Sequence, residues 1–136
     1  MEVMIVVILI GILASFAIPN YTKSIVKAHV KDALVQVTTI YAANTIYKAQ
    51  NNGLYLSGVD NSGLDLTAIN SNLGLNIIAN DIDYHYFAAP PPTLFRVTAT
   101  YVNGKTYIVS VDQSPLIKGI NPSCIVLSSG ESCPGY

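Results

Sequence analysis

Two cysteines are the first candidates for chemistry in this sequence of 136 residues. Cys124 and Cys133 lie nine positions apart near the C-terminus. A structural zinc site needs about four Cys or His ligands, and the two histidines, His29 and His85, are distant from both cysteines along the chain. A disulfide that closes a loop of about ten residues is the better interpretation, and it predicts an oxidising compartment. Two unrelated free thiols are the alternative.

The other polar residues follow no catalytic motif. No nucleophile, base and orienting group occur in a recognisable arrangement, and no glycine-rich phosphate loop is present. Asp81 and Asp83 are two residues apart, far fewer than the roughly six to eight oxygen ligands that calcium takes. His85 lies in a strand-like segment, and we expect His29, in a lysine-bearing part of a helix, to be solvated. The sequence therefore predicts no enzyme activity, no catalytic residue, no metal site and no cofactor.

Glu2 is the most unusual ionisable residue, because it stands at the head of an apolar segment. It is the only charged residue before Lys23, and the sixteen residues Val3–Ile18 are uncharged and mostly apolar. Sixteen helical residues span about 24 Å, somewhat less than the roughly 30 Å hydrocarbon core of a bilayer. A carboxylate in such a segment is costly and tends to mark a function, unless its side chain simply reaches the interface.

Three interpretations of Val3–Ile18 compete. A secretory signal peptide has a basic leading region and a small-residue cleavage site, whereas the leading charge here is acidic. A buried helix of a soluble domain would need protein around every face, because β-branched residues lie on all of them. A membrane segment that lacks a few upstream residues fits the pattern best.

The composition also sets limits on function. Charged residues make up 11% of the chain, against about 25% in ordinary soluble domains, and the mean hydropathy is +0.43. Much of the surface must therefore be covered by uncharged polar groups or by neighbouring proteins. The net charge of -1 gives no electrostatic case for binding nucleic acid.

The helical pattern continues beyond Pro19, which deletes one backbone hydrogen bond and usually kinks a helix. Seven residues then follow alternating four- and three-residue spacing and predict a packing stripe: Val26, Val30, Ala33, Val37, Ile40, Asn44 and Tyr47. Lys23, Lys27 and Lys31 lie on a different face, which is solvated or contacts neighbouring subunits or lipid. We expect one long helix over about residues 3–50.

The rest of the chain predicts an antiparallel sheet. Residues 51–82 form an irregular connection in which Asp65 caps a short helix, Leu66–Leu73, that ends at Gly74. The predicted strands are Asp83–Ala88, Phe95–Val102, Lys105–Asp112 and a short Cys124–Leu127. Asn103-Gly104 predicts a two-residue type I′ turn. The fold class is therefore α+β, with the second half of the long helix packed on a three- or four-stranded antiparallel sheet.

The N-terminal residues resemble the signature of type IV pilins and the related pseudopilins of secretion systems. Three runs carry the resemblance: Glu2-Val3-Met4-Ile5-Val6-Val7, Ile10-Gly11-Ile12-Leu13-Ala14 and Ala17-Ile18-Pro19-Asn20-Tyr21. The match is dense over about twenty residues, and beyond them the resemblance is one of architecture. It implies a precursor whose basic leader is cleaved to expose an N-methylated residue, with three further mature residues ahead of Met1.

The resemblance also implies a function. Residues 1–21 would be the membrane and filament-core segment, and 22–136 the domain that carries the sheet and the disulfide loop. Glu2, Gly11 and Pro19 would be assembly residues, with Glu2 paired to the N-terminal amine of an adjacent subunit. The partners would be copies of the chain, inner-membrane lipid and an assembly machinery, without nucleic acid.

The chain would then be a structural subunit of an extracellular type IV pilus used in adhesion or motility. Its localisation would be the inner membrane before assembly and the extracellular filament afterwards. The alternatives are a pseudopilin of a secretion or DNA-uptake system, and a membrane-anchored monomeric binding module.

Overall fold

The computed structural model describes residues 2–58, 63–88, 92, 94–103, 105–112, 123–126 and 133. The elements in these ranges are α1 (Glu2–Gln50), α2 (Leu66–Leu73), β1 (Ile82–Ala88), β2 (Phe95–Asn103), β3 (Lys105–Asp112) and β4 (Ser123–Val126). The four strands form one antiparallel sheet in the order β1-β2-β3-β4. The predicted α+β class and the long helix are confirmed, and β2 and β3 lie in the middle of the sheet.

The first helix has two parts with opposite surroundings. α1 is continuous from Glu2 to Gln50, through both Gly11 and Pro19, and its 49 residues make it about 73 Å long. Every described side chain from Val3 to Ser24 is exposed. From Val26 onward, one stripe of the helix is buried against β2 and β3.

The core lies between the second part of α1 and one face of the sheet. The predicted helical stripe is confirmed, with Val37, Ile40 and Asn44 fully buried. The sheet face that packs on α1 carries Phe95 and Val97, which are buried together with other alternating residues of β2. Burying the opposite face instead would require a register shift of one residue.

The short helix α2 has the predicted boundaries and caps. The Asp65 carboxylate accepts a 2.9 Å hydrogen bond from the backbone N–H of Ala68. Gly74 ends the helix with a φ of 65°, a left-handed conformation that glycine adopts without strain. The segment around α2 also contributes to the core, which the expectation of an irregular connection missed. Its buried side chains are Tyr55, Leu56, Leu64, Ile69 and Ile77.

The predicted two-residue turn at Asn103-Gly104 is wrong. Such a turn pairs Val102 with Lys105, whereas the structure pairs Val102 with Thr106. Gly104 itself lies outside the described residues. The observed register places three large side chains of β3 in the core, namely Tyr107, Val109 and Val111. Their burial outweighs the local preference of the turn, because a one-residue slip would turn the whole strand over.

Candidate assembly surface

The first part of α1 forms a large apolar surface that nothing in the described part of the chain covers. Its large hydrophobic side chains, from Val3 to Ile18, are each between 51% and 76% exposed. Fully burying one such side chain is worth about 1.5–3 kcal/mol. Contiguous apolar patches of more than a few hundred Å² mark interaction sites on proteins. This surface therefore requires lipid or protein around it.

The length and the composition of this helix indicate which surroundings its first part fits. An 18-residue window of α1 has a mean hydropathy of 2.5, and none of that window is buried. It is the one described helix that is long and apolar enough to cross a membrane. Core helices of soluble domains and signal sequences pass the same test, but a core helix is mostly buried. A core-helix interpretation of this part therefore does not fit the structure.

Two polar side chains in this part of α1 donate hydrogen bonds to the helix itself. The Ser15 hydroxyl donates a 2.8 Å hydrogen bond to the Ile12 carbonyl. The Asn20 amide donates to the Phe16 carbonyl at 3.2 Å. Such bonds satisfy the donor of the hydroxyl and one of the two N–H donors of the amide. Apolar groups can therefore cover this surface, and the donors that bond to the helix still keep a hydrogen-bond partner.

The three predicted assembly residues lie along this one helix and are not brought together. Glu2 is the first residue of α1, where the positive end of the helix dipole favours a carboxylate. Gly11 is nine residues further, or about 13.5 Å along the axis. Apart from its chain neighbours and the nearby backbone of its own helix, no described atom lies within 4 Å of the position that a Cβ of Gly11 would take. Pro19 lies within the helix, and the side chains of Glu2 and Pro19 are outside what the structure describes.

The predicted disulfide is present in the structure. Cys124 and Cys133 are bonded, with their Cα atoms 5.5 Å apart, and they are 4% and 2% exposed. The backbone N–H of Cys133 also donates a 3.4 Å hydrogen bond to the carbonyl of Cys124. Because Cys124 belongs to the edge strand β4, the bond ties the chain near Cys133 to the edge of the sheet.

A surface depression of about 410 Å³ lies beside the second part of α1. It is lined by Ala28, His29, Asp32, Asn80 and Asp81. The expectation that His29 is solvated is wrong, because its ring is half-buried and stacks on Tyr101 with centroids 4.3 Å apart. The lining residues include no hydroxyl, thiol or amine nucleophile. In the described part of the chain, no group of three or more His, Cys, Asp or Glu could hold a metal ion.

The turn before β1 contributes to this depression and was not predicted. Asn80 and Asp81 have φ values of 43° and 64°, and the N–H of Ile82 donates a 2.7 Å hydrogen bond to the Ala79 carbonyl. Asn and Asp tolerate this left-handed conformation better than most residues. The Asn-Asp pair was therefore the available signal for a tight turn at this point.

No protein-family model, curated protein or solved structure matches this chain. The function is therefore argued from the residues and from the geometry of α1.

Proposed function

We propose that this chain is a structural subunit of an extracellular, type IV pilus-like filament. In this proposal residues 1–21 hold the subunit in the inner membrane before assembly, and the same segments then pack together in the filament core. The observation that carries the proposal is the division of one continuous helix. Its first part exposes apolar side chains all round, and its second part is fixed to a sheet.

Two features of the first part favour an assembly helix over a plain membrane anchor. Gly11 costs about 1 kcal/mol of helix propensity relative to alanine, and packing among the described residues does not require it. Close approach of a neighbouring helix is a reason for a glycine there. Glu2 is the second feature, because a lipid anchor has no use for a carboxylate at its head, whereas an amine of a neighbouring subunit would neutralise it.

The domain suits an extracellular position. A buried disulfide is maintained in an oxidising compartment. The low content of charged residues, 11%, suits a surface that neighbouring subunits partly cover. A closed C-terminal loop is also common among type IV pilins, which favours a pilus subunit over a pseudopilin.

Electron microscopy of material sheared from the surface of cells that make the full precursor tests the proposal. We expect filaments that contain this chain and that are missing from cells lacking its gene. Long surface filaments would support a pilus subunit rather than a secretion pseudopilin. Recovery of the chain only as a monomer in the membrane fraction would refute the proposal and support the membrane-anchored binding module.

A further inference from the structure

Three lysines form a stripe where the first part of α1 meets the second. Lys23, Lys27 and Lys31 follow four-residue spacing, which places them on one side of the helix, and all three are exposed. The first of them lies five residues, or about 7.5 Å, beyond Ile18 at the end of the apolar segment. We call these three residues the lysine stripe.

The lysine stripe has no acidic partner among the described residues. Residues 3–31 contain no Asp or Glu, and the next acid, Asp32, is five residues and about 140° around the helix from Lys27. Like charges at four-residue spacing repel each other and destabilise a helix. An anion bound to the stripe would therefore stabilise this part of α1.

The sheet gives α1 a basic side and an acidic side. Asp32 lines the surface depression together with Asp81, which precedes β1, so β1 lies on the side of α1 that carries Asp32. β3 lies beyond β2 on the other side, towards the lysine stripe, and Lys105 is exposed at its first position. A negatively charged surface would therefore attract one side of α1 and repel the other, which would orient the chain.

Lys105 also lies at the end of the domain that is nearest to the lysine stripe. Tyr101 stacks on His29, whereas Phe95, at the start of β2, contacts Tyr41. β2 therefore runs towards the first part of α1, and Lys105 follows Tyr101 across the turn at that end. Its charge adds to that of the stripe.

We propose that the lysine stripe binds the phosphate groups of anionic phospholipids where α1 leaves the membrane. This inference rests on the membrane stage of the proposed function and not on filament formation. The headgroup region on one side of a bilayer is about 5–7.5 Å thick, which places Lys23 at its outer limit. Tyr21, two residues earlier, is 68% exposed, and tyrosine is enriched at this level of a membrane.

The direction of the side chains favours a lipid surface over an acidic protein. Side chains on a helix tilt towards its N-terminus, so the lysines of the stripe extend back towards the apolar segment. A lysine carries its charge at the end of a flexible stem, and the ammonium group can reach the headgroups while the stem lies along apolar surface. An acidic protein would have to bind at the membrane surface to contact the same groups.

The distance from the membrane ranks the three lysines. With α1 upright, Lys27 and Lys31 lie about 13.5 and about 19.5 Å beyond Ile18. The attraction of a cationic side chain to an anionic membrane falls off within a Debye length, which is about 8–10 Å at ordinary ionic strength. Lys23 should therefore contribute most to lipid binding and Lys31 least.

The lipid selectivity of the full chain tests the proposal. The chain is purified in a neutral detergent and mixed with equal amounts of phosphatidylglycerol and phosphatidylcholine, and native mass spectrometry counts the lipids of each kind that remain bound. We expect phosphatidylglycerol to be preferred about fivefold or more, which is the factor that one lysine near an anionic surface supplies. Replacing all three lysines of the stripe by glutamine should bring the ratio close to one. An unchanged ratio in that variant would overturn the inference.

Single substitutions test the position of the lipid site. We expect Lys23→Gln to lower the preference for phosphatidylglycerol more than Lys31→Gln does. Lys48→Gln is the matched control, because it removes the same charge about 45 Å beyond Ile18 on the same helix, and it should leave the preference unchanged. An equal loss in the control would show that only the net charge of the chain matters, and would overturn the site. An intact disulfide in each variant shows that the variants fold.

The lipid site and the proposed function fail in different ways. Absence of filaments from the unmodified chain would refute the proposed function, but a lipid preference measured on the unassembled chain would still support the site. Loss of filaments in the triple glutamine variant, with an unchanged lipid ratio, would overturn the lipid site and assign the stripe to a contact between subunits.

Discussion

The side-chain amide of Asn44 donates a 2.9 Å hydrogen bond to the hydroxyl of Tyr86, which joins α1 to β1 inside the core. The Tyr86 hydroxyl donates in turn to the carbonyl of Leu56 at 2.6 Å, and the N–H of Leu56 donates to the Asn44 amide oxygen at 3.0 Å. Both side chains are fully buried. This closed ring of hydrogen bonds fixes where the chain that leaves α1 passes over the sheet.

Removing the hydroxyl from this ring should destabilise the domain. Tyr86→Phe leaves the Asn44 amide and the Leu56 carbonyl each without a buried partner, and one such loss costs about 1–3 kcal/mol. We expect the free energy of unfolding, measured by denaturant titration of the oxidised full chain in detergent, to fall by at least that amount. Tyr84→Phe is the matched control.

Tyr84 is suitable as a control because its hydroxyl is buried but has no hydrogen-bond partner in the described part of the chain. Replacing it removes an unsatisfied polar group, so the free energy of unfolding should stay the same or rise. Equal losses in the two variants would show that ring packing, rather than the hydrogen bonds of Tyr86, holds this strand.

The same two tyrosines predict a loss of stability at high pH. Burial, followed by the charge of Asp32, raises the pKa of Tyr84 to about 12. Burial also raises the pKa of Tyr86, although its hydrogen bond with Asn44 acts in the opposite direction. The folded state therefore holds these phenol protons more tightly than the unfolded chain, where the pKa of tyrosine is about 10.

Linkage gives the direction of the pH effect. The stability should be fully present below about pH 10 and decrease as the pH rises from about 10 towards 12. Unfolding midpoints across that range, with tyrosinate absorbance followed in parallel, check this. Tyr84→Phe should weaken the pH dependence above pH 10, and an unchanged dependence in that variant would contradict the assignment.

The disulfide should contribute measurably to stability. It closes a loop of about ten residues, for which the chain-entropy model gives about 2.5–3 kcal/mol. We expect replacement of both Cys124 and Cys133 by serine to lower the free energy of unfolding by about that amount and to release the chain near Cys133 to proteolysis. Mass spectrometry of unreduced mature protein should find the bond formed. Two free thiols would contradict both the bond and the extracellular position.

Periodicity predicted the elements that bury one face over many residues. The stripe from Val26 to Asn44 and the alternation along β2 each repeat the same signal several times, so single exceptions do not hide it. The caps of α2 could also be predicted from the sequence, because Asp65 and Gly74 interact only with backbone groups a few residues away. The first part of α1 was recognisable from its unbroken apolar composition rather than from a period.

Contacts between distant parts of the chain could not be predicted from local sequence patterns. The burial of Tyr55 and Leu56 depends on Asn44 and Tyr86, which a local pattern does not connect to them. The register of the β2–β3 hairpin followed the burial of side chains rather than the preference of its turn. The stacking of His29 on Tyr101 likewise required the packing of α1 on the sheet.

Glu2→Ala should separate membrane insertion from assembly. The substitution removes a polar group from an apolar segment, so the amount of chain in the membrane should be unchanged. A neighbouring subunit would then bury its N-terminal amine without a partner, which is costly in apolar surroundings. We expect filament yield to fall about tenfold or more, while Ser15→Ala leaves it unchanged. Normal yield from the Glu2→Ala strain would indicate that the carboxylate only reaches the membrane interface.

The helix that is continuous in the single chain should be interrupted in the filament. Gly11 and Pro19 bracket Ile12–Ile18, and each weakens the helix, glycine through backbone entropy and proline through its missing donor and ring clash. In a bilayer an unbonded backbone group costs several kcal/mol, which keeps the segment helical before assembly.

In a bundle of subunits, neighbouring chains can shield and partly satisfy these backbone groups. Extension of a few residues from about 1.5 to about 3.3 Å per residue would then let the filament stretch along its axis. A filament density map should show this extended stretch between Gly11 and Asn20. Unbroken hydrogen bonds from each N–H to the carbonyl four residues earlier, throughout that stretch, would refute the prediction. In that case Pro19 would be a residue that the helix merely tolerates.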